Sequence, residues 1–105
     1  KQMEILETVN LANVGAVLDL AHAYLHGIDI YEYFTNINPY LIELHAHNND
    51  GASDQHLSIT EGKINFQKFF SVINIKVPII LEIRNMEEAL TTLEWLKLFE
   101  RKEFL

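Results

Sequence analysis

Twelve consecutive residues, His45 to His56 (HAHNNDGASDQH), hold three of the chain's five histidines together with Asp50, Asp54, Asn48 and Asn49. Imidazole nitrogens and carboxylate oxygens at this density form a donor set for a divalent cation. The stretch directly follows the apolar run Tyr40-Leu41-Ile42-Glu43-Leu44. An ordinary strand-to-helix connection is shorter and poorer in such donors. The stretch therefore reads as a metal-centred site at the mouth of a strand.

Two further apolar runs end in the same kind of chemistry. Val14-Gly15-Ala16-Val17-Leu18 leads into Asp19, and Val77-Pro78-Ile79-Ile80-Leu81 leads into Glu82. In parallel α/β architectures the C-terminal strand ends line the ligand site, so Asp19, His45 and Glu82 are expected to converge. Two hard carboxylates and one imidazole suit Zn²⁺, Mn²⁺, Co²⁺ or Mg²⁺. His22, three residues past Asp19, can turn back over such a site. Asp54 and His56 are two apart, so in an extended loop they point the same way and could hold a second metal or orient a substrate.

Each residue also has a plainer reading. Taken alone, Asp19 serves equally well as a helix cap; Glu82 has a lesser alternative as a buried partner of Arg84 or a Lys, and His45 one as a satisfied core histidine. His26 and His47 read as structural or solvent-facing. Asp50 and Gly51 read as turn chemistry, with Asn48 and Asn49 tolerant of left-handed backbone. Trp95 reads as packing.

The elements that must position these groups alternate in type. Met3, Leu6 and Val9 predict a helix ending near Asn10. After the first strand, residues Ala21 to Gly27 read as a connecting segment. Asp29 then caps a helix whose apolar face is Ile30, Tyr33, Phe34 and Ile37, stopped by Pro39. The second strand runs from about Tyr40 to Ala46. By its period of two, Glu43, His45 and His47 share one face, and Ile42, Leu44 and Ala46 the other. Asn65 caps a helix with Phe66, Phe69, Phe70 and Ile73 on one side. Asn85 caps a last helix that buries Leu90, Leu93, Leu96 and Phe99, with Lys97, Arg101 and Lys102 near its C-terminus to suit the dipole.

Apolar strands alternating with amphipathic helices, without hairpin signals, imply right-handed crossovers and a parallel sheet. Three such strands leave both outer edges unpaired. The chain also starts without a methionine. It is thus expected to be a piece of a larger α/β protein, or to complete itself by self-association through its sheet edges.

At 105 residues, 49% of them hydrophobic, the chain is the size of one small domain with enough apolar material for a core. It has no cysteine, which excludes disulfides and thiolate metal ligands. There is no apolar run of about 18 residues to span a bilayer and no leader pattern. The expectation is a soluble, cytoplasmic protein. A net charge of −7, with eight scattered Lys and Arg, disfavours a nucleic-acid partner.

Several short motifs carry a resemblance: Val17-Leu18-Asp19-Leu20-Ala21-His22-Ala23, His45-Ala46-His47-Asn48-Asn49-Asp50-Gly51, Asp54-Gln55-His56-Leu57, Glu61-Gly62-Lys63-Ile64 and Ile80-Leu81-Glu82. In this order and spacing the chain resembles the C-terminal half of the xylose isomerase-like TIM-barrel superfamily. That superfamily contains sugar isomerases and epimerases and the apurinic endonuclease IV group. The resemblance implies a partial (β/α)8 barrel over residues 1–105, the C-terminal part of a single domain.

It also implies that Asp19, His45 and Glu82 match shared metal ligands. His22 would match a position that binds substrate in epimerases and metal in the endonuclease group. Asp54 and His56 would match a pair that ligates an additional metal in the latter. The family's other shared ligand, a strand-tip glutamate, has no counterpart, since Glu4 and Glu7 lie in the leading helix. Thr60 replaces the first glycine of a Gly-x-Gly turn, and Asn48 stands where many epimerases carry Asp.

The expected function is a divalent-metal-dependent isomerase or epimerase of a sugar or polyol, transferring a proton next to a metal-polarised carbonyl. Glu82 would be ligand and acid/base carboxylate, and His22 would orient a substrate hydroxyl. The alternatives are an endonuclease IV-like zinc phosphodiesterase and a catalytically incomplete structural fragment.

Overall fold

Asp19, the first of the expected ligands, closes one element and opens the next. In the computed structural model, which describes Glu4 and residues 14–104, it ends strand β1 (Ala16–Asp19) and caps helix α1 (Leu20–Leu25). There follow α2 (Ile30–Ile37), a 3-10 turn (Asn38–Tyr40), β2 (Leu41–Ala46), α3 (Phe66–Val72), β3 (Ile79–Leu81) and α4 (Met86–Phe104). The strands form one parallel sheet in the order β1-β2-β3. This is the expected α/β arrangement of parallel strands alternating with helices. The leading helix expected up to Asn10 lies outside the described residues, Glu4 apart, as do the side chains of Arg101 and Lys102.

Helix α1 corrects the expectation of a plain connector over Ala21 to Gly27. Leu20, Ala21, Ala23 and Leu25 are good helix formers, and the Asp19 carboxylate accepts the N–H of His22 at 3.0 Å. The helix ends where Gly27 takes φ +72°: Gly27 N–H bonds to Tyr24 and Ile28 N–H to Ala23, a Schellman closure. The other caps are as expected. Asp29 accepts from Tyr31 and Glu32, Asn65 from Lys68, and Asn85 from Glu88.

The pairing of β1 with β2 slips between Ala16 and Val17. Ala16 pairs with Leu41 but Val17 with Glu43, so Ile42 is the extra residue of a bulge. Ile42 is consequently 57% exposed rather than packed with Leu44 and Ala46 as its parity predicts. It lies across Gly15, where an added Cβ would fall 2.4 Å from the Ile42 side chain. Strand β3 begins at Ile79 rather than Val77. Pro78, which has no N–H to give, contributes only its carbonyl, to Leu44 N–H.

One face of the sheet is core. Ala16, Leu18, Leu44 and Ala46 pack with Phe34, Ile37, Phe66 and Phe69 of the helices. The alternating residues, among them Asp19, Glu43 and His45, point to the opposite face. Helix α4 is rotated from expectation. Leu90 and Leu93 are exposed, while Thr92 is buried and Trp95 and Leu96 pack against the core. The cause is a polar anchor, since the Thr92 hydroxyl hydrogen-bonds Ser58 at 2.9 Å. Trp95 stacks on Phe99 at 5.2 Å between ring centres, beside Phe70.

Candidate metal centre

The parallel register brings the three strand tips together. Asp19 lies opposite His45, and His45 opposite Ile80. The chain continues past β3 with Glu82 N–H bonded to Ala46. Asp19, His45 and Glu82 each offer a ligand atom, and these atoms lie within 4.8 Å of one another. His45 Nδ1 is 3.0 Å from Glu82 Oε1, and its Nε2 is 2.5 Å from Glu43 Oε1. Glu82 therefore faces His45, and the alternative pairing with Arg84 is not formed: Arg84 is held by Glu88.

A second group lies alongside. His22, His47, Asp54 and His56 also offer ligand atoms within 4.8 Å of one another. Asp54 joins two of them, at 3.1 Å from His22 Nε2 and 3.2 Å from His56 Nε2. The rings of His47 and His56 stack in parallel at 3.9 Å. Asp19 touches both groups: its carboxylate is 3.0 Å from His47 Nε2 and 3.3 Å from His22 Nδ1.

His47 is the residue that sequence reasoning passed over. It is fully buried, not solvent-facing, and stands within the second group. The signal was present, since it shares a strand face with His45 at the period of two. Its Nδ1 is buried without a hydrogen-bond partner. A buried ring nitrogen without a partner is costly and calls for a water or an ion. With two nitrogen- and oxygen-rich groups of ligand spacing and no sulfur, the residues present fit a divalent cation. His26 and Asp50 belong to neither group.

The loop is fixed by buried amides rather than by left-handed asparagines. Asn48 and Asn49 are fully buried. The Asn48 side chain donates to the carbonyls of Ile59 and Ile64 and accepts from the N–H of Asn49 and Ile64. Asn49 donates to Ala21, tying the loop to α1. Gly62 takes φ +103°, and a Cβ there would meet Asn49 O at 2.6 Å.

His56, among the described residues, is the non-glycine that adopts positive φ, at 55°. The segment is thus not extended at His56, as supposed for Asp54 and His56. The chain turns there because Leu57 pairs back antiparallel with Asn48. The His56 ring is fixed by Glu82 O at 2.6 Å from its Nδ1.

Electrostatics favour charged carboxylates here. Burial acts to raise the Asp19 carboxyl, but the His47 hydrogen bond, the His22 N–H and both imidazoles outweigh it and hold it below its ordinary value. Asp54 is lowered in the same way, burial being outweighed by His22 and His56. His56 is raised: burial opposes its charge, but the Glu82 carbonyl and Asp54 prevail. None of these side chains lines the apolar groove of about 460 Å³ on the helical side, which is bounded by Phe70, Ile73, Ile79, Leu96 and Phe99.

Comparison with known proteins gives a consistent picture. Residues 1–99 match the family described as xylose isomerase-like TIM barrel. The chain is 34% identical over 100 residues to the uncharacterized protein MJ1311 of Methanocaldococcus jannaschii, covering 90% of this chain and 34% of that one. It is 39% identical over 66 residues to MJ1614 of the same organism, covering 63% and 25%. Among solved structures, a D-tagatose 3-epimerase-like protein superposes with a TM-score of 0.76 at 30% identity, over 92% of this chain and 39% of that one. The chain thus spans about a third of the length of MJ1311 and a quarter of that of MJ1614.

Proposed function

The chain belongs to the xylose isomerase-like TIM-barrel family, and on that premise we propose that it is the C-terminal part of a divalent-metal-dependent isomerase or epimerase of a sugar or polyol. The observation that carries this reading is the meeting of Asp19, His45 and Glu82 at the strand tips within 4.8 Å. These three would hold the cation, Zn²⁺, Mn²⁺, Co²⁺ or Mg²⁺ by donor type. A bound cation would polarise a substrate carbonyl and make the neighbouring carbon acidic enough to lose a proton.

The chain's own groups supply the rest. Glu82 faces the open side of the sheet and moves the proton at that carbon. His22, half exposed beside Asp54, donates to a substrate hydroxyl and fixes its orientation. Asp54 and His56 steady His22 or hold a second ion. A strand-tip glutamate elsewhere in the barrel would serve as the opposing carboxylate.

Calorimetric titration with Mn²⁺ and Zn²⁺ tests the reading. One or two ions per chain are expected, with Asp19→Asn and Glu82→Gln each weakening binding at least tenfold. Solvent deuterium should enter a ketose at the carbon beside its carbonyl, and Glu82→Gln should abolish that exchange. Equal affinity in all three chains would remove the basis for the assignment.

A second reading, a zinc phosphodiesterase of the endonuclease IV kind, is favoured by the group His22, His47, Asp54 and His56. Three zincs per chain with hydrolysis of an activated phosphodiester would bring it forward. The net charge of −7 opposes it.

A further inference from the structure

Glu43 belongs to neither group of potential ligands, yet it makes the closest contact to one of them. We propose that Glu43 is the positioning residue for the cation site: it holds Nε2 of His45 so that Nδ1 presents its lone pair to the space shared with Asp19 and Glu82. The inference rests on the cation reading above.

Three observations support it. Glu43 and His45 are two residues apart on β2 and share the open face of the sheet, paired respectively with Val17 and Asp19 of β1. Glu43 Oε1 stands 2.5 Å from His45 Nε2, while Nδ1 on the other side of the ring is 3.0 Å from Glu82. The two ring nitrogens are thus separated in role, one towards Glu43 and one towards the ligand group.

A neutral imidazole carries one ring proton and one lone pair. An ionised carboxylate only accepts, so the tautomer with N–H at Nε2 is the one that suits Glu43. The other tautomer would set the Nε2 lone pair against carboxylate oxygen. A carboxylate behind a metal-bound histidine fixes its tautomer and ring plane and makes it a better donor. Glu43 is 37% exposed and makes no part of the buried core, so its replacement leaves the packing intact.

The test measures Zn²⁺ binding by calorimetry and, on the full chain before Zn²⁺ is added, the His45 ring-nitrogen shifts by ¹⁵N NMR. The unaltered chain should carry the ring proton on Nε2. Glu43→Gln, of equal shape, should bind Zn²⁺ roughly 10- to 100-fold more weakly and show mixed tautomers, and Glu43→Asp should recover part of the loss. A Glu43→Gln affinity within twofold of the unaltered chain would overturn the proposal. So would a ring proton on Nδ1 in the unaltered chain, a result that does not depend on any variant folding. If the unaltered chain takes up no Zn²⁺, the cation reading itself fails, and the role of Glu43 with it.

Discussion

Asn48 has more influence on the site than its small size suggests. Its amide meets four backbone groups of the loop, and it lies next to His47 in sequence. Each buried partner left unmet costs roughly 1–3 kcal/mol. Asn48→Ala should therefore lower unfolding stability by about 2 kcal/mol or more in urea melts and weaken cation binding as His47 and His56 lose their support. Asn48→Asp would set a carboxylate oxygen against two carbonyls and should be no milder. A chain with unchanged stability in either variant would show that water replaces the amide.

The ligand-type residues at the strand tips were legible in the sequence because an apolar run ending in Asp, His or Glu announces itself locally. His47 was not. What makes it part of a group is its closeness to Asp19, twenty-eight positions away, and to His56, whose backbone turn comes from pairing across the loop. Neither is visible in a linear window.

At the scale of elements, the caps were the legible part. Asp29, Asn65 and Asn85 each bond to N–H groups two or three residues ahead, so the signal is short-ranged. Helix α1 was hidden because its cap, Asp19, also ends a strand. The rotation of α4 was hidden because it depends on Ser58, thirty-four positions before Thr92. Thr92→Val should leave the Ser58 hydroxyl with one partner fewer and destabilise the chain by about 1–3 kcal/mol, a loss measurable in the same melts.

The loop also carries a pH dependence. The Asp50 carboxylate, bonded to the N–H of Ala52 and Ser53 and near Lys63, is held below its ordinary value of 3.8. A carboxyl lowered on folding contributes stability that is present above the ordinary value and lost as pH falls through the depressed one. Hydrogen exchange at Ala52 and Ser53, corrected for intrinsic rates, should therefore show protection at neutral pH that disappears below 3.8. In Asp50→Asn the protection should be weaker and flat across that range.

At the scale of the whole molecule, the three strands among the described residues leave apolar surface open on this chain taken by itself. Val17 and Ile80 on the outer strands and Ile42 at the bulge are each at least 40% exposed. Met86, Leu90 and Leu93 form a stripe at i, i+4 and i+7 along α4. Free sheet edges beside apolar side chains favour association. Sedimentation velocity should show mass rising with concentration, and Leu90→Lys with Leu93→Lys should shift the distribution towards the monomer. A concentration-independent monomer would indicate that these surfaces are tolerated in water. The α/β order was legible from hydrophobic runs alone. The bulge was not, because parity along a strand assumes an unbroken ladder.

The stack of Trp95 on Phe99 gives the protein an optical label at a chosen place. There is a single tryptophan, and it lies on the last helix beside Phe70, outside both groups of potential ligands. Its emission will therefore follow the docking of the last helix and stay indifferent to ion uptake. One fluorescence trace can separate a variant that loosens the scaffold from one that alters only the grip on the proposed cation.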